Sequence, residues 1–222
     1  MTVTRHDAPE PLPAAALAPW RDVPVALAVD CAPGARLVDP SIRPLRPAGL
    51  QPRLFGRAVT VRTVPPDFGA MLHALDLAGP GDVLCVDAGG DAQTAMIGEI
   101  LSGHLRRKGV AGLVVDGAVR DVARLAGWDD FPVFARHVTP RGPTGATEGA
   151  LNLPVTVGGA EVRPGDLILG DDDGVVCLPS AVVTGGLGPV RDKAAREADW
   201  ERRLAQGETA ARVFGLAPPA QH

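Results

Sequence analysis

The 222 residues carry 45% hydrophobic side chains and a formal net charge of −4, a balance that predicts a substantial core and, at this length, a single domain. Lys and Arg are dispersed and outnumbered by acids, 22 against 26, while Tyr is absent and only five Phe and three Trp are present. That composition excludes a basic, aromatic-lined nucleic-acid surface. No apolar run approaches membrane-spanning length, and the N-terminus lacks a cationic segment followed by an apolar core, so a cytoplasmic protein with no membrane contact is expected. Cys31, Cys85 and Cys177 lie far apart with neither CxxC nor paired His spacing; Cys85 and Cys177 sit inside apolar runs and read as small buried hydrophobes rather than zinc ligands or disulfides, in a reducing compartment.

In chain order, residues 1–13 are polar and Pro-rich and predict a mobile N-terminal segment. Residues 14–53 read as short helical pieces, interrupted by Pro19 and Pro24, followed by a Pro-rich arm over 39–53 that suits a path across a neighbouring subunit. A core spanning 54–180 begins with the β-branched stretch LFGRAVTVRTV, a strand ended by Pro65-Pro66. Phe68, Met71, Leu72 and Leu75 then recur at helical spacing up to Gly79-Pro80. Val83 to Val86 reads as a short buried strand, with Gly89-Gly90-Asp91 leaving its carboxyl end, where layered α/β folds place ligands. Asp91 is expected to act as a turn or cap residue.

The next segment carries the chemistry. Ile100, Leu101, His104 and Leu105 fall at helical spacing and Lys108-Gly109 suits a helix stop. Ala111 to Val115 reads as a buried strand, bounded by Asp116-Gly117. A helix of about ten residues covers roughly 15 Å, and a strand of about six residues running back covers roughly 20 Å. Arg120 and Asp121 are therefore predicted to return to Glu99, beside the free amides of Gly98, Glu99, Ile100 and Leu101 at a helix N-terminus, which attract anions. The grouping suits a site for a small carboxylate and a metal; it also suits a structural salt bridge on a solvated loop.

His73 and His104 are expected to pack beside apolar helical stripes, and His137 to lie in a solvated loop with Arg136 and Arg141. Beyond Pro154 the pattern is short strands, including a tight hairpin at Asp171 to Gly174. Within the C-terminal helix and tail, residues 181–222, an amphipathic helix is predicted from Pro189 to Gln206 and suits packing on a partner subunit. Strands and helices alternating before residue 130 and a β-rich second half predict an α/β fold.

Gly-Gly-Asp at 89–91, Gly98-Glu99 and Asp116-Gly117-x-x-Arg120-Asp121 resemble the signature of the RraA-like family, which includes the 4-hydroxy-4-methyl-2-oxoglutarate (HMG) aldolases. FGRAVTV at 55–61, PGDVLCVD at 80–87, PVFARHVTPRGP at 132–143 and DDDGVVCLP at 171–179 extend the resemblance from about Val29 to Gly207. Glu99 stands where some members carry Asp.

The resemblance implies a swivelling-domain β/β/α sandwich, single-domain and assembled as a homotrimer or a dimer of trimers with sites between subunits. It implies a Mg²⁺ or Mn²⁺ cofactor bound by Asp121 directly and by Glu99 through water. It further implies a small 2-oxo acid substrate held by Gly98, Glu99, Ile100, Leu101 and Arg120. Glu197, with Glu201 as the neighbouring alternative, would approach the site of an adjacent subunit; a solvated helix face is the other reading. The implied reaction is metal-dependent retro-aldol cleavage of HMG-type acids, decarboxylation of oxaloacetate through the same pyruvate enolate, or the same chemistry on another 2-oxo acid. Some relatives instead bind ribonuclease E as regulators without catalysis.

Overall fold

A computed structural model describes residues 2–217 and 220. The N-terminal part contains β1 (Thr4–Arg5), α1 (Ala14–Leu17), α2 (Val25–Cys31), β2 (Arg36–Leu37) and β3 (Arg43–Pro44). The central part runs β4 (Leu54–Arg62), α3 (Gly69–Leu77), β5 (Asp82–Ile97), α4 (Glu99–Arg107), β6 (Gly112–Val119), α5 (Val122–Leu125) and β7 (Val133–Val138). Short strands β8 (Ala150–Leu151), β9 (Val155–Val157) and β10 (Ala160–Val162) precede the hairpin β11 (Leu167–Asp171) and β12 (Gly174–Leu178). Three helices finish the chain: α6 (Ser180–Gly185), α7 (Gly188–Ala205) and α8 (Ala210–Val213).

One mixed sheet of ten strands dominates, ordered β2-β12-β11-β4-β5-β6-β7-β3, with β8 on β4 and β1 on β8. Its middle, β4 to β7, is parallel, because each connection passes through a helix or a long crossover. Side chains alternate between two faces, and the alternation sorts the core. Leu84, Val86, Leu113, Val115 and Val133 pack with Met71 of α3 and Leu105 of α4. Their neighbours Val83, Cys85, Val114 and Phe134 pack on the opposite face with Val155, Val157 and Val162 of the separate β9–β10 hairpin. Farther along the sheet, Leu167, Leu169, Val176 and Leu178 face α1, α2, α6 and α7. The layers are thus helix, large sheet and small hairpin in one domain, the α/β sandwich expected.

Several local readings change. Thr4 and Arg5 pair with Ala150 and Leu151, and the His6 amide donates to the Leu151 carbonyl at 3.0 Å, so these residues of the N-terminal segment are bound to the sheet rather than mobile. Within the Pro-rich arm, Arg43 and Pro44 pair with Ala135 and Phe134 at the sheet edge, where Pro44's missing donor costs nothing. Strand β5 does not stop at Val86. It passes through Gly89 (φ 62) and Gly90 (φ 73) as an irregular strand whose register against β6 shifts three times before Ile97, a bulged stretch that only glycine's left-handed freedom permits. The Asp91 carboxylate accepts from the Thr94 amide at 2.7 Å, the cap role expected of it. Likewise β6 continues through Asp116-Gly117 to Val119, buried throughout. Arg136 and His137 belong to β7 rather than to a loop, and His73 and His104 are exposed rather than packed.

Candidate active site

The extended β5 and β6 end side by side, and their ends build the site. The Arg120 amide donates to the Ile97 carbonyl at 3.1 Å, which fixes the exit of β6 against the entry of α4. Gly98 caps α4 in an extended conformation, φ −146° and ψ −162°, and its carbonyl accepts from Ser102 at 3.1 Å. Asp121 caps α5 in the left-handed region, φ 60° and ψ 37°. An Asp at a helix cap ordinarily accepts from its own helix. Here Oδ2 accepts instead from the Glu99 amide, at 2.9 Å, and lies 3.8 Å from Arg120 Nε. The predicted return of Arg120-Asp121 to the start of α4 is therefore realised, through the first free amide of that helix.

Clearance around this pair depends on glycine. A β-carbon on Gly98 would collide with Asp121 Oδ2 and stand 2.8 Å from Arg120 Cγ. A small pocket of ≈ 50 Å³ opens at this point, lined by the apolar Phe68, Ile97 and Leu101 together with Arg120, Asp121 and Pro143. Pro143 belongs to a loop fastened at both ends. The Arg141 carbonyl accepts from Ala95 at 2.8 Å, while the carboxylate of Asp67 accepts from Gly69 at 2.7 Å, Thr147 at 2.9 Å and Glu148 at 3.0 Å. Backbone donation, led by Thr147, holds the Asp67 carboxyl below its ordinary pKa against the cost of desolvation.

Other predicted residues lie apart. The Glu99 carboxylate turns away from Asp121 and accepts from Arg124 Nε at 2.9 Å, lining a separate cavity with Gly103, Arg106 and Trp128. Ile100 is 80% exposed, although it lines the pocket, as Leu101 does. Glu197 is paired with Lys193 at 3.4 Å, and Lys193 with Asp30 of α2 at 3.6 Å, so within one chain it is not grouped with the site. Among the described residues no three His, Cys, Asp or Glu side chains converge. Asp121, 42% exposed, is the single carboxylate offered inside the pocket. The sequence does not mark Phe68, Pro143 or the Asp67 anchor as parts of the site, because their role depends on a loop more than twenty residues distant in the chain reaching the end of β6.

The chain matches the family described as Aldolase/RraA over residues 25–177. A Halalkalibacterium halodurans protein named "Putative 4-hydroxy-4-methyl-2-oxoglutarate aldolase" is 34% identical over 195 residues, 88% of this chain and 91% of that relative. A Thermus thermophilus 4-hydroxy-4-methyl-2-oxoglutarate aldolase is 38% identical over 143 residues, 62% of this chain and 85% of its own. Among solved structures, Streptomyces coelicolor RraAS2, described as an unusual member of the RNase ES inhibitor RraA protein family, superposes with a TM-score of 0.69 at 30% identity, covering 90% of this chain and 100% of that one. With the family match spanning most of the sandwich and a relative 34% identical over 88% of this chain, the chain belongs to the RraA-like family.

Proposed function

We propose that this protein is a divalent-metal-dependent lyase that cleaves 4-hydroxy-2-oxo acids of the HMG type, or decarboxylates oxaloacetate, by way of a pyruvate enolate. One observation carries the reading: Asp121 accepts from the first amide of α4, with Arg120 Nε 3.8 Å from the same carboxylate oxygen, and both line a small, apolar-walled pocket. A cationic group, an acidic group and a helix N-terminus beside an apolar wall suit a short oxo acid. The guanidinium of Arg120 faces the charge that gathers on the keto oxygen as the carbon–carbon bond breaks, and such charge stabilisation matters most in the transition state. The α4 amides beyond Glu99, at Ile100 and Leu101, hold the substrate carboxylate.

Asp121, as a lone half-exposed carboxylate, fits a hard cation that keeps several waters, so Mg²⁺ or Mn²⁺ is the cofactor of choice. When bound, that ion supplies Lewis-acid polarisation of the keto oxygen. For a 4-hydroxy acid the C4 hydroxyl must also lose a proton, which a water would relay to the carboxylate of Glu99 once that leaves Arg124, or to Glu197 of a neighbouring copy. A Schiff-base route is disfavoured, because the two lysines of the sequence are engaged elsewhere: Lys108 Nζ donates to the carbonyls of Leu75 and Asp76, and Lys193 pairs with Asp30 and Glu197. Ile100, which lines the pocket, and Val138, paired with Val119 at the end of β6, are exposed apolar side chains, which supports burial of this edge in a homotrimer or dimer of trimers.

Pyruvate release from HMG and from oxaloacetate, coupled to lactate dehydrogenase, tests the reading in Mg²⁺ or Mn²⁺ and again in EDTA. Release that requires metal supports it, and the preferred substrate separates cleavage from decarboxylation. The likeness to RraAS2 supports a second reading, a regulator that binds ribonuclease E; silence on both acids together with such binding would favour it.

A further inference from the structure

We propose that Gly142 is a positioning residue for Arg120, and that the loop carrying it, residues 141–148, sets where the guanidinium points. The inference rests on the reading of Arg120 as the charge-stabilising group, and it gives a role to a glycine of the PVFARHVTPRGP stretch. Arg120 runs between two glycines from different parts of the chain. On one side stands Gly98, with its missing β-carbon against Arg120 Cγ and Nε. On the other stands Gly142, where a β-carbon would be 2.5 Å from Arg120 Nη1, 3.4 Å from Cζ and 3.8 Å from Nη2. Real β-carbons do not approach a nitrogen that closely, so any side chain at 142 displaces the guanidinium.

Gly142 needs no left-handed backbone, being absent from the positive-φ glycines. Its requirement is therefore space for the guanidinium, and alanine there keeps the fold. The loop cannot simply back away. Its start is tied by the Ala95 amide to the Arg141 carbonyl at 2.8 Å, its middle by the Thr144 amide to the Pro66 carbonyl at 2.9 Å, and its end by the Asp67 carboxylate to Thr147 and Glu148. Arg120 has freedom to yield, since its side chain is 43% exposed and its nearest acidic partner is 3.8 Å away. Between a fastened loop and a half-exposed side chain, the side chain moves. A displacement of about 1 Å in a charge-stabilising group is enough to cost on the order of a hundredfold in rate.

The experiment is a double-mutant cycle on Gly142→Ala and Arg120→Lys. Lysine keeps a cation but lacks the Nη1 atom that meets residue 142. Gly142→Ala alone is expected to lower kcat for pyruvate release by about tenfold or more, whereas in the Arg120→Lys background it should change kcat by less than about twofold, because the clashing atom is gone. Equal losses in both backgrounds would overturn the proposal, since Gly142 would then act other than through Arg120. A second readout is independent of turnover: the ¹H–¹⁵N correlation of Arg120 Nε, identified as the peak that Arg120→Lys removes. Gly142→Ala should shift that peak while the protein keeps its melting temperature; an unmoved peak would also overturn the proposal. A shifted peak in a protein that releases no pyruvate would leave the positioning role standing and remove the lyase reading.

Discussion

Two carboxylates near the ends of central elements, Asp67 and Asp121, show how the same side chain is put to different use. Asp67 is 9% exposed and its oxygens accept from Gly69, Thr147 and Glu148 amides and from the Thr147 hydroxyl. It is a saturated anchor, joining α3 to a loop about eighty residues later in the chain. Asp121 accepts from the Glu99 amide, is 42% exposed, and occupies a left-handed conformation that a non-glycine residue adopts at a cost. Asp67 spends its acceptors on holding structure, whereas Asp121 keeps acceptor capacity in an open position, which is what the proposed metal role requires.

Removing each group tests that contrast. The largest effect is expected at Asp121: Asp121→Ala should abolish metal-dependent pyruvate release while the melting curve stays within about 3 °C of the parent, because little packing is lost. Coincident loss of fold and activity would erase the distinction. Arg120→Ala should lower kcat by roughly a hundredfold, as loss of an oxyanion partner does, with the KM of oxaloacetate less affected.

Asp67→Asn should act in the opposite sense, lowering the melting temperature by roughly 5 °C through buried donors left without a charged acceptor. The sign with pH follows from the depressed pKa of Asp67. Its contribution is complete above the ordinary carboxylate value of 3.8 and is lost as pH falls below that value through the folded-state pKa. Acid unfolding curves of parent and Asp67→Asn should therefore converge below about pH 4. The smallest effect belongs to the exposed Glu99–Arg124 pair, whose side chains are 42% and 68% exposed. Arg124→Ala should move the melting temperature by about 1 °C or less, and a change in the pH profile of pyruvate release would show that freeing Glu99 reaches the reacting centre.

Much of this was legible in the sequence wherever a local period or a short return loop governed the outcome. The α4–β6 unit was, because helical spacing from Ile100 to Leu105 and an apolar run after Gly109 fix an antiparallel return whose length brings Arg120-Asp121 to Gly98-Glu99. The burial of Cys85 and Cys177 was also legible from their apolar neighbours, and burial indeed pushes both thiols far above their ordinary pKa. Boundaries were less so. Gly89-Gly90-Asp91 reads as the end of a strand in any local scheme, yet pairing with β6 on one side carries β5 through it as bulges. Thr4-Arg5 reads as loose, yet β8 offers it an edge to pair with.

The direction of the Glu99 carboxylate was not legible, because a residue in the first turn of a helix can turn to either side and Arg124, on the following helix, decides. What the sequence determined by itself is the α/β alternation, the family signature and the meeting of Arg120-Asp121 with the α4 N-terminus, all set by period and chain length over about twenty residues. What only the tertiary structure decided is how much room that pair has. The loop over 141–148, held by a carboxylate at Asp67, brings a glycine against a guanidinium, and steric fit between segments distant in sequence leaves no local pattern to read.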